Sequence, residues 1–536
     1  MTLVDNRMNK DIVYLKQNIL LEPLIDYWYS WSHLISPATY AMNITGRHLR
    51  IMESYIMAPD LHAEAVKNPQ MAGGPFMDYN DNKSNDIVAL KSNTENISSA
   101  RIQFSKDIKT LSGMLSAKSD GTSMKDIYDA MPASLRGFVE LVYDIRHQPS
   151  FRFFESLLYK SLYYDESLQN ICLSIIENDN RPFSLSTPRL PTKDSINLAI
   201  PFKHKAIDVL MQMKRVPRSY AEIKNLLNVE DKDDALFRSF FSEERTESNV
   251  TYNDPGVRIR YFGHACILVE TKEVSILSDP VISYGYDTTI SRYTYKDLPE
   301  VIDYVIITHN HQDHILLETM LQIRHKVKNI IIPKGGNGAL QDPSMKLMFQ
   351  AIGFHNIIEL DELETVEKKS FVITGLPFIG EHCDLDIRSK LCYHIRLAEV
   401  TMIFAADSCN LVPELYRKIH PLTGDVDILF LGMECDGAPL SWLYGPLITA
   451  KITREMDSSR RLAGSNYSQG LEFLNTFNPK HLFVYAMGQE PWLNYIMAVK
   501  YTSESNPIVA SNQLLQECSL RGIQGERLFG ERTLVF

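Results

Sequence analysis

The sequence predicts an α/β protein: a C-terminal half built as two sheets sandwiched between helices, αββα, behind a mainly helical (α+β) N-terminal half. Three observations carry that prediction. Before about residue 250 most apolar residues recur at helical spacing, and after it the chain becomes a series of short apolar or alternating segments with helical stretches between them. A charged run near residue 240 separates the two textures. Finally, one short apolar segment, Val305 to Ile307, runs straight into a dense group of imidazoles and carboxylates, HNHQDH.

At 536 residues the chain exceeds one ordinary core, so two domains are expected. Its 44% apolar and 23% charged residues are those of a soluble globular protein. The longest apolar runs, YVII and NIII, fall far short of the ~20 residues that a membrane helix needs. MTLVDNRMNKD lacks the basic-then-apolar order of a secretory signal, so a cytoplasmic protein without membrane association is expected. A net charge of −11 argues against broad nucleic-acid binding, which requires a basic footprint. The seven cysteines are odd in number and lack CxxC spacing, which predicts reduced, mostly buried thiols; Cys383 and Cys409 each lie within two residues of a candidate ligand.

In order along the chain, residues 10–70 read as helical, with Pro37 as an interruption and Trp28, Tyr29 and Trp31 as helix-packing core. Gly46 to Arg50, GRHLR, is a compact basic group on a solvated face. Met71 to Phe76 reads as a loop, and the polar stretch Asn80 to Ser99 as exposed. From Met124 to Asn178 the pattern is again helical, broken at Pro149. Phe183 to Pro201 reads as an extended connector, YAEIKNLL as a helix, and Asp231 to Glu247 with the Asp254-Pro255-Gly256 turn as a linker. The domains are therefore set at 1–250 and 251–536. Strands are predicted in VRIRYFG, CILVET, VSILSD, NIIIP, FVIT, CYHIRL, TMIFAAD, DILFLG and HLFVYAM, with helices such as PSMKLMFQAIGF between them.

His309 and His311, at i and i+2 on extended backbone, project to one side, where a single cation can take both imidazoles. Asp313 and His314 follow where the chain turns toward a helix, ILLETMLQIRHKV, and supply a second oxygen and nitrogen; the spacing suits two metals. Further ligands are sought just past later strands. Asp407 ends TMIFAAD and offers two oxygens, with capping of a helix near Leu411 as its structural alternative. At Glu381-His382 the residues leave two options. An imidazole from His382 makes a softer, zinc-like site, and a carboxylate from Glu381 a harder one suited to iron.

GHACILVE, SDP and HNHQDH, in that order, resemble the metallo-β-lactamase fold, whose His-x-His-x-Asp-His motif serves hydrolases and oxidoreductases alike. LEPLIDYWYSWSHLISPATYAMNI, KNPQMAGGPFMDY, GEHCDLDI and GMECDGAPLSWLYGP resemble the non-haem diiron β-hydroxylases of the chloramphenicol-biosynthesis type, over nearly the full length. That resemblance implies an O2-dependent diiron monooxygenase that β-hydroxylates an aminoacyl thioester on a peptidyl carrier domain in nonribosomal peptide biosynthesis. It implies His309, His311 and Glu381 as ligands of one iron, Asp313 and His314 of the other, and Asp407 shared or adjacent; Glu381 and Asp407 are the expected catalytic carboxylates. Electrons would come from an external reductase, since no flavin- or nicotinamide-binding glycine motif is present. The N-terminal domain would dock the carrier, with Arg47 and Arg50 on a basic face, and supply a homodimer interface. The alternative is a dizinc hydrolase of an ester, lactone or phosphodiester; Met487-Gly488, standing where such hydrolases place His-Gly, weighs against it. His264 reads as a residue behind the ligands, Glu434 and Asp436 as pocket wall or loop anchors, and Ser465-Asn466-Tyr467 as ordinary loop.

Overall fold

Strict alternation organises the C-terminal half. In the computed structural model, which describes residues 11–118, 120–247 and 252–536, Ile259, Tyr261, Ile267, Val269, Ile276, Tyr304 and Ile306 point one way into an inter-sheet core. Their neighbours Phe262, Cys266, Leu268, Leu277 and Val305 point the other way, into a second core shared with the N-terminal half. Two seven-stranded sheets result. The first runs in the order Ile357–Leu360, Val327–Pro333, Ile302–Ile306, Ser275–Ser278, Cys266–Glu270, Arg258–Gly263, Arg532–Val535. In the second the order is Thr365–Lys368, Phe371–Leu376, Cys392–Leu397, Val400–Phe404, Ile428–Gly432, His481–Tyr485, Gln524–Arg527. Helices Pro413–Thr423, Tyr467–Phe477 and Asn506–Arg521 cover the second sheet through Tyr416, Phe473 and Leu514. The expected αββα sandwich is present.

Strand direction decides where chemistry can gather. Four strands of the first sheet, from Ser275–Ser278 to Ile357–Leu360, are mutually parallel. So are four of the second, from Val400–Phe404 to Gln524–Arg527. The loops leaving their carboxyl ends carry Asp279, His309, Asp407, Glu434 and Ala486, the place where open α/β sheets bind ligands.

The N-terminal half is less helical than its sequence predicts. Ile19–Ile25 is a strand, paired antiparallel with Gln169–Ile175 and flanked by Trp28–Tyr29 and Ser195–Leu198. All seven of its residues are buried, the charged Glu22 included, so both faces are hidden and the apolar-polar alternation that would have marked a strand is missing. Val139–Tyr143 and Pro149–Phe153 likewise form a hairpin where a helix is expected. Pro37 begins helix Pro37–Asn43 rather than interrupting one. The 80–99 stretch is mostly exposed, as expected, although helix Ser84–Ile97 hides Ile87, Leu90 and Thr94. The charged run is packed rather than a free linker, because Phe237, Phe240 and Phe241 are buried in it and Phe241–Ser242 pairs with Ile12–Leu15. The boundary expected at 250/251 falls within 248–251, outside the described residues. Arg47 also departs from expectation: it is buried and donates to the carbonyl oxygens of Trp442 (2.6 Å) and Leu443 (3.3 Å), so it belongs to the packing between the halves and not to an exposed basic face.

A buried ionic network joins the two halves directly behind the His-rich loop. Arg181 donates to Glu22 of the N-terminal sheet (2.8 Å) and to Glu318 of helix Leu317–Ile323 (2.7 Å). Tyr29 and Tyr284 also donate to Glu318, at 2.9 and 2.8 Å, and Arg189 donates to Glu22 at 3.0 Å. Burial would raise the Glu22 pKa, but Arg189 and Arg181 outweigh it and hold the carboxyl at about 2. Glu22 therefore contributes stability at pH values above its ordinary 4.5, and that contribution is lost as pH falls toward 2. Arg181→Met leaves two buried carboxylates short of a cation and is expected to cost about 3–5 kcal/mol in urea unfolding at pH 7. The deficit should shrink below pH ~4 as Glu22 protonates; a pH-independent deficit would assign the loss to packing instead.

Candidate metal centre

Past Ile306 the chain is fixed from behind by Asp279. Its Oδ1 accepts the Thr308 amide (2.8 Å), and its Oδ2 accepts the Thr308 hydroxyl (2.6 Å) and lies 2.9 Å from His314 Nδ1. That arrangement settles which ring nitrogen of His314 faces the cluster: Nε2, 3.0 Å from Asp407 Oδ2 and 3.6 Å from Asp313 Oδ2. On the opposite side, the turn after Phe371–Leu376 carries Glu381. Gly380, Glu381, Cys383 and Asp384 all have positive φ, a strained run of the sort that persists where surrounding structure holds it for function. A side chain at Gly380 would bring a Cβ within 2.5 Å of Cys409 Cβ, so the turn closes tightly on the Asp407 loop.

The donor atoms converge. His311 Nδ1 lies 2.8 Å from Glu381 Oε1, and His309 Nε2 lies 3.6 Å from Glu381 Oε2 and 3.9 Å from Asp407 Oδ2. Three overlapping groups have ligand atoms close enough for one ion each: His309, His311, Glu381 and His382; His264, Asp313 and His314; His309, His314 and Asp407. All six residues expected from the sequence are thus brought together. His264 and His382 join them: His264 Nε2 is 3.0 Å from Asp313 Oδ2, and His382 stacks on His311 with ring centroids 4.5 Å apart. Asp279 and Tyr444 complete the support. Tyr444, whose hydroxyl is 2.8 Å from His311 Nε2, and Asp279, within the SDP motif, had no assigned role in the sequence; a carboxylate one residue past a strand was the available signal.

His309 Nε2, Glu381 Oε2 and Asp407 Oδ1 are buried and have no hydrogen-bond partner in the protein. Polar atoms of this kind are costly unless something completes them, and two imidazole-carboxylate sets with orphaned lone pairs fit two metal ions. Burial, reinforced by the neighbouring His314 and His311, holds His309 well below its ordinary pKa, leaving a neutral imidazole with a free lone pair. Burial also pushes the Glu381 carboxyl up to about 7 despite His311, with Asp407 and Asp313 adding to the rise. A dication in the cluster reverses that pressure.

A cavity of about 280 Å³ opens onto this cluster, reaching His311, Asp313, Glu381 and Asp407 on one side and Trp442, Leu462 and Met497 on the other. Glu434 lines it, whereas Asp436 accepts from Asn506 at 2.9 Å as a loop anchor. Ser465 donates to Ser408 O and Asn466 caps helix Tyr467–Phe477, so this segment is ordinary loop. Asp407 does not cap the following helix, which begins at Pro413 behind Val412. Met487 packs in the outer core of the second sheet. None of the seven cysteines forms a disulfide, and Cys383 and Cys409 are buried. No helix among the described residues is long and apolar enough to cross a membrane.

Residues 14–245 match the diiron non-heme beta-hydroxylase N-terminal domain, and residues 258–434 match the beta-lactamase superfamily domain. The chain is 37% identical over 530 residues to the 4-amino-L-phenylalanyl-[CmlP-peptidyl-carrier-protein] 3-hydroxylase of Streptomyces venezuelae, covering 97% of this chain and 99% of that one. The crystal structure of CmlA, a diiron beta-hydroxylase from the same organism, superposes with a TM-score of 0.92 at 36% identity, covering 98% and 99% of the two chains. A mutant of CmlA gives a TM-score of 0.89 at 36% identity over 98% and 100%. Likeness over both halves separates the chain from hydrolases that share only the sandwich: it belongs to the non-haem diiron β-hydroxylases, monooxygenases whose catalytic domain has the metallo-β-lactamase fold.

Proposed function

We propose that this enzyme hydroxylates the β-carbon of an amino acid held as a thioester on the phosphopantetheine arm of a peptidyl carrier domain, in nonribosomal peptide biosynthesis. The observation that carries this reading is end-to-end likeness to a 3-hydroxylase whose own substrate is carrier-bound. His309, His311 and Glu381 hold one iron, Asp313 and His314 the other, and Asp407 is shared or adjacent; Glu381 and Asp407 also face the cavity. Iron bound here supplies reductive activation of O2, and the net change is one C–H bond to C–OH with one water formed, using two electrons and two protons from an external reductase.

The protein's own groups prepare that chemistry. Asp279 holds the His314 ring by Nδ1 and Tyr444 holds the His311 ring by Nε2, leaving the opposite nitrogens to the metals. Trp442, Leu462 and Met497 give the cavity an apolar wall against bulk water. A groove of about 910 Å³ between the two halves shares Gly73, Pro439 and Trp442 with the cavity and carries Arg50 and Lys451. That groove is the route for the arm, and exposed Arg50 is the basic contact for an acidic carrier. A homodimer is part of the same reading.

Protein purified without added metal should contain about two irons per chain, by metal analysis, with an oxo- or hydroxo-bridged ferric band in the near-ultraviolet. Glu381→Ala should lose iron and His382→Ala should largely keep it. Stoichiometric zinc, or the reverse pattern in the two variants, would overturn the ligand assignment. Tyr444→Phe should keep the fold but lower iron affinity or turnover by roughly 10–100-fold. Arg50→Glu should lower kcat/KM for the carrier-bound substrate by about three- to tenfold, less at high salt, with iron content unchanged; unchanged kinetics would remove the docking role.

A further inference from the structure

The cavity contains one carboxylate that the proposed metal centre does not use. Asp313, Glu381 and Asp407 are committed to the metals, which leaves Glu434 among the acidic residues lining the cavity. It sits on the loop leaving strand Ile428–Gly432, at the same sheet edge as the ligands. The loop is tightly held. Glu434 Oε2 accepts the Gly437 amide at 2.7 Å, and the Glu434 carbonyl oxygen accepts the Gly464 amide at 2.7 Å. Gly437 has φ +58, and a Cβ there would lie 2.2 Å from Leu462 O, so only glycine permits this turn.

Glu434 has room for a cation: its carboxylate accepts the Gly437 amide and forms no ion pair with a lysine or arginine among the described residues. As a carboxylate lining the cavity outside the metal set, it is the acidic group that a positively charged ligand would meet there; burial, with Asp436 and Asp407 adding to it, pushes its carboxyl up to about 7, a rise that a cation beside it would oppose. An aminoacyl thioester brings such a group. Its α-ammonium is two bonds from the β-carbon, about 2.5 Å away, so holding the nitrogen limits where the reacting C–H can lie.

We propose that Glu434 receives the α-ammonium of the aminoacyl thioester by a charge-assisted hydrogen bond and so positions the β-carbon toward the metal ligands, making it a positioning and specificity residue. This rests on the reading above that the substrate is a carrier-bound amino acid. Tethering through the thioester fixes one substituent of the α-carbon and Glu434 fixes a second; the side chain is then directed along the apolar wall.

The test uses the iron-loaded full-length enzyme and a panel of carrier-bound aminoacyl thioesters, each paired with its des-amino counterpart. Wild type is expected to prefer the amine-bearing member roughly 10- to 100-fold in kcat/KM and in carrier binding measured by calorimetry. Glu434→Gln should erase that preference, with iron content and melting temperature unchanged, and consume more O2 per product. Wild type that hydroxylates both members equally would overturn the role of Glu434 while leaving the carrier-bound reading intact; that comparison does not depend on any variant folding. A preference fully retained in Glu434→Gln would also overturn it. Hydroxylation or binding of no carrier-bound thioester, alongside turnover of a free compound, would remove the substrate reading and this role with it.

Discussion

A cluster of imidazoles and carboxylates buried with more lone pairs than the protein can satisfy is the constraint on which the rest of this structure depends. His309, Glu381 and Asp407 are buried and each presents an atom without a protein partner. Such an arrangement is tolerable only if a cation completes it. Metal binding is therefore coupled to the stability of the loops themselves. The second layer of the site is organised accordingly: Asp279 spends both oxygens on Thr308 and His314, and the strained turn at Gly380 to Asp384 is clamped against the Asp407 loop. Asp279 does not line the cavity, whereas the turn reaches it through Glu381; both determine which atoms face it.

The N-terminal half is a structural condition for this centre as much as an addition to it. Arg181 bridges Glu22 and Glu318, tying the helix that follows the His-rich loop to the N-terminal sheet. Arg47 holds the Trp442 and Leu443 carbonyl groups from below, and the Trp442 indole donates to Gly73 O at 2.9 Å. The wall of the cavity is thus assembled from both halves.

How much of this could be read from the sequence depended on whether the governing interaction was local. The sandwich was legible because its strands alternate or run apolar between turn signals, and the candidate ligands because four of them lie within His309 to His314. Asp407 was found by position, just past a strand; position left Glu381 and His382 as alternatives, and the family resemblance favoured Glu381. Ile19–Ile25 was not legible, since burial on both faces removes the period-two signal, and the phenylalanines of the charged run were hidden by their neighbours. Arg47 misled for a related reason. A basic group in sequence says nothing about whether backbone carbonyl groups from residues nearly four hundred positions away will bury it. Asp279 and Tyr444 act only through contacts formed on folding, so their role had no local signature.

Cavity size closes the relation between site and substrate. About 280 Å³ beside the ligands admits one amino-acid-sized group and no folded partner, while the adjoining groove is more than three times larger and open along both halves. A free amino acid would have to carry all of its binding energy into the small cavity. A tethered one brings the affinity of its carrier to the outer surface and is presented at high local concentration. The inner walls then need only orient, and a short apolar face opposite a single uncommitted carboxylate is sufficient for that task.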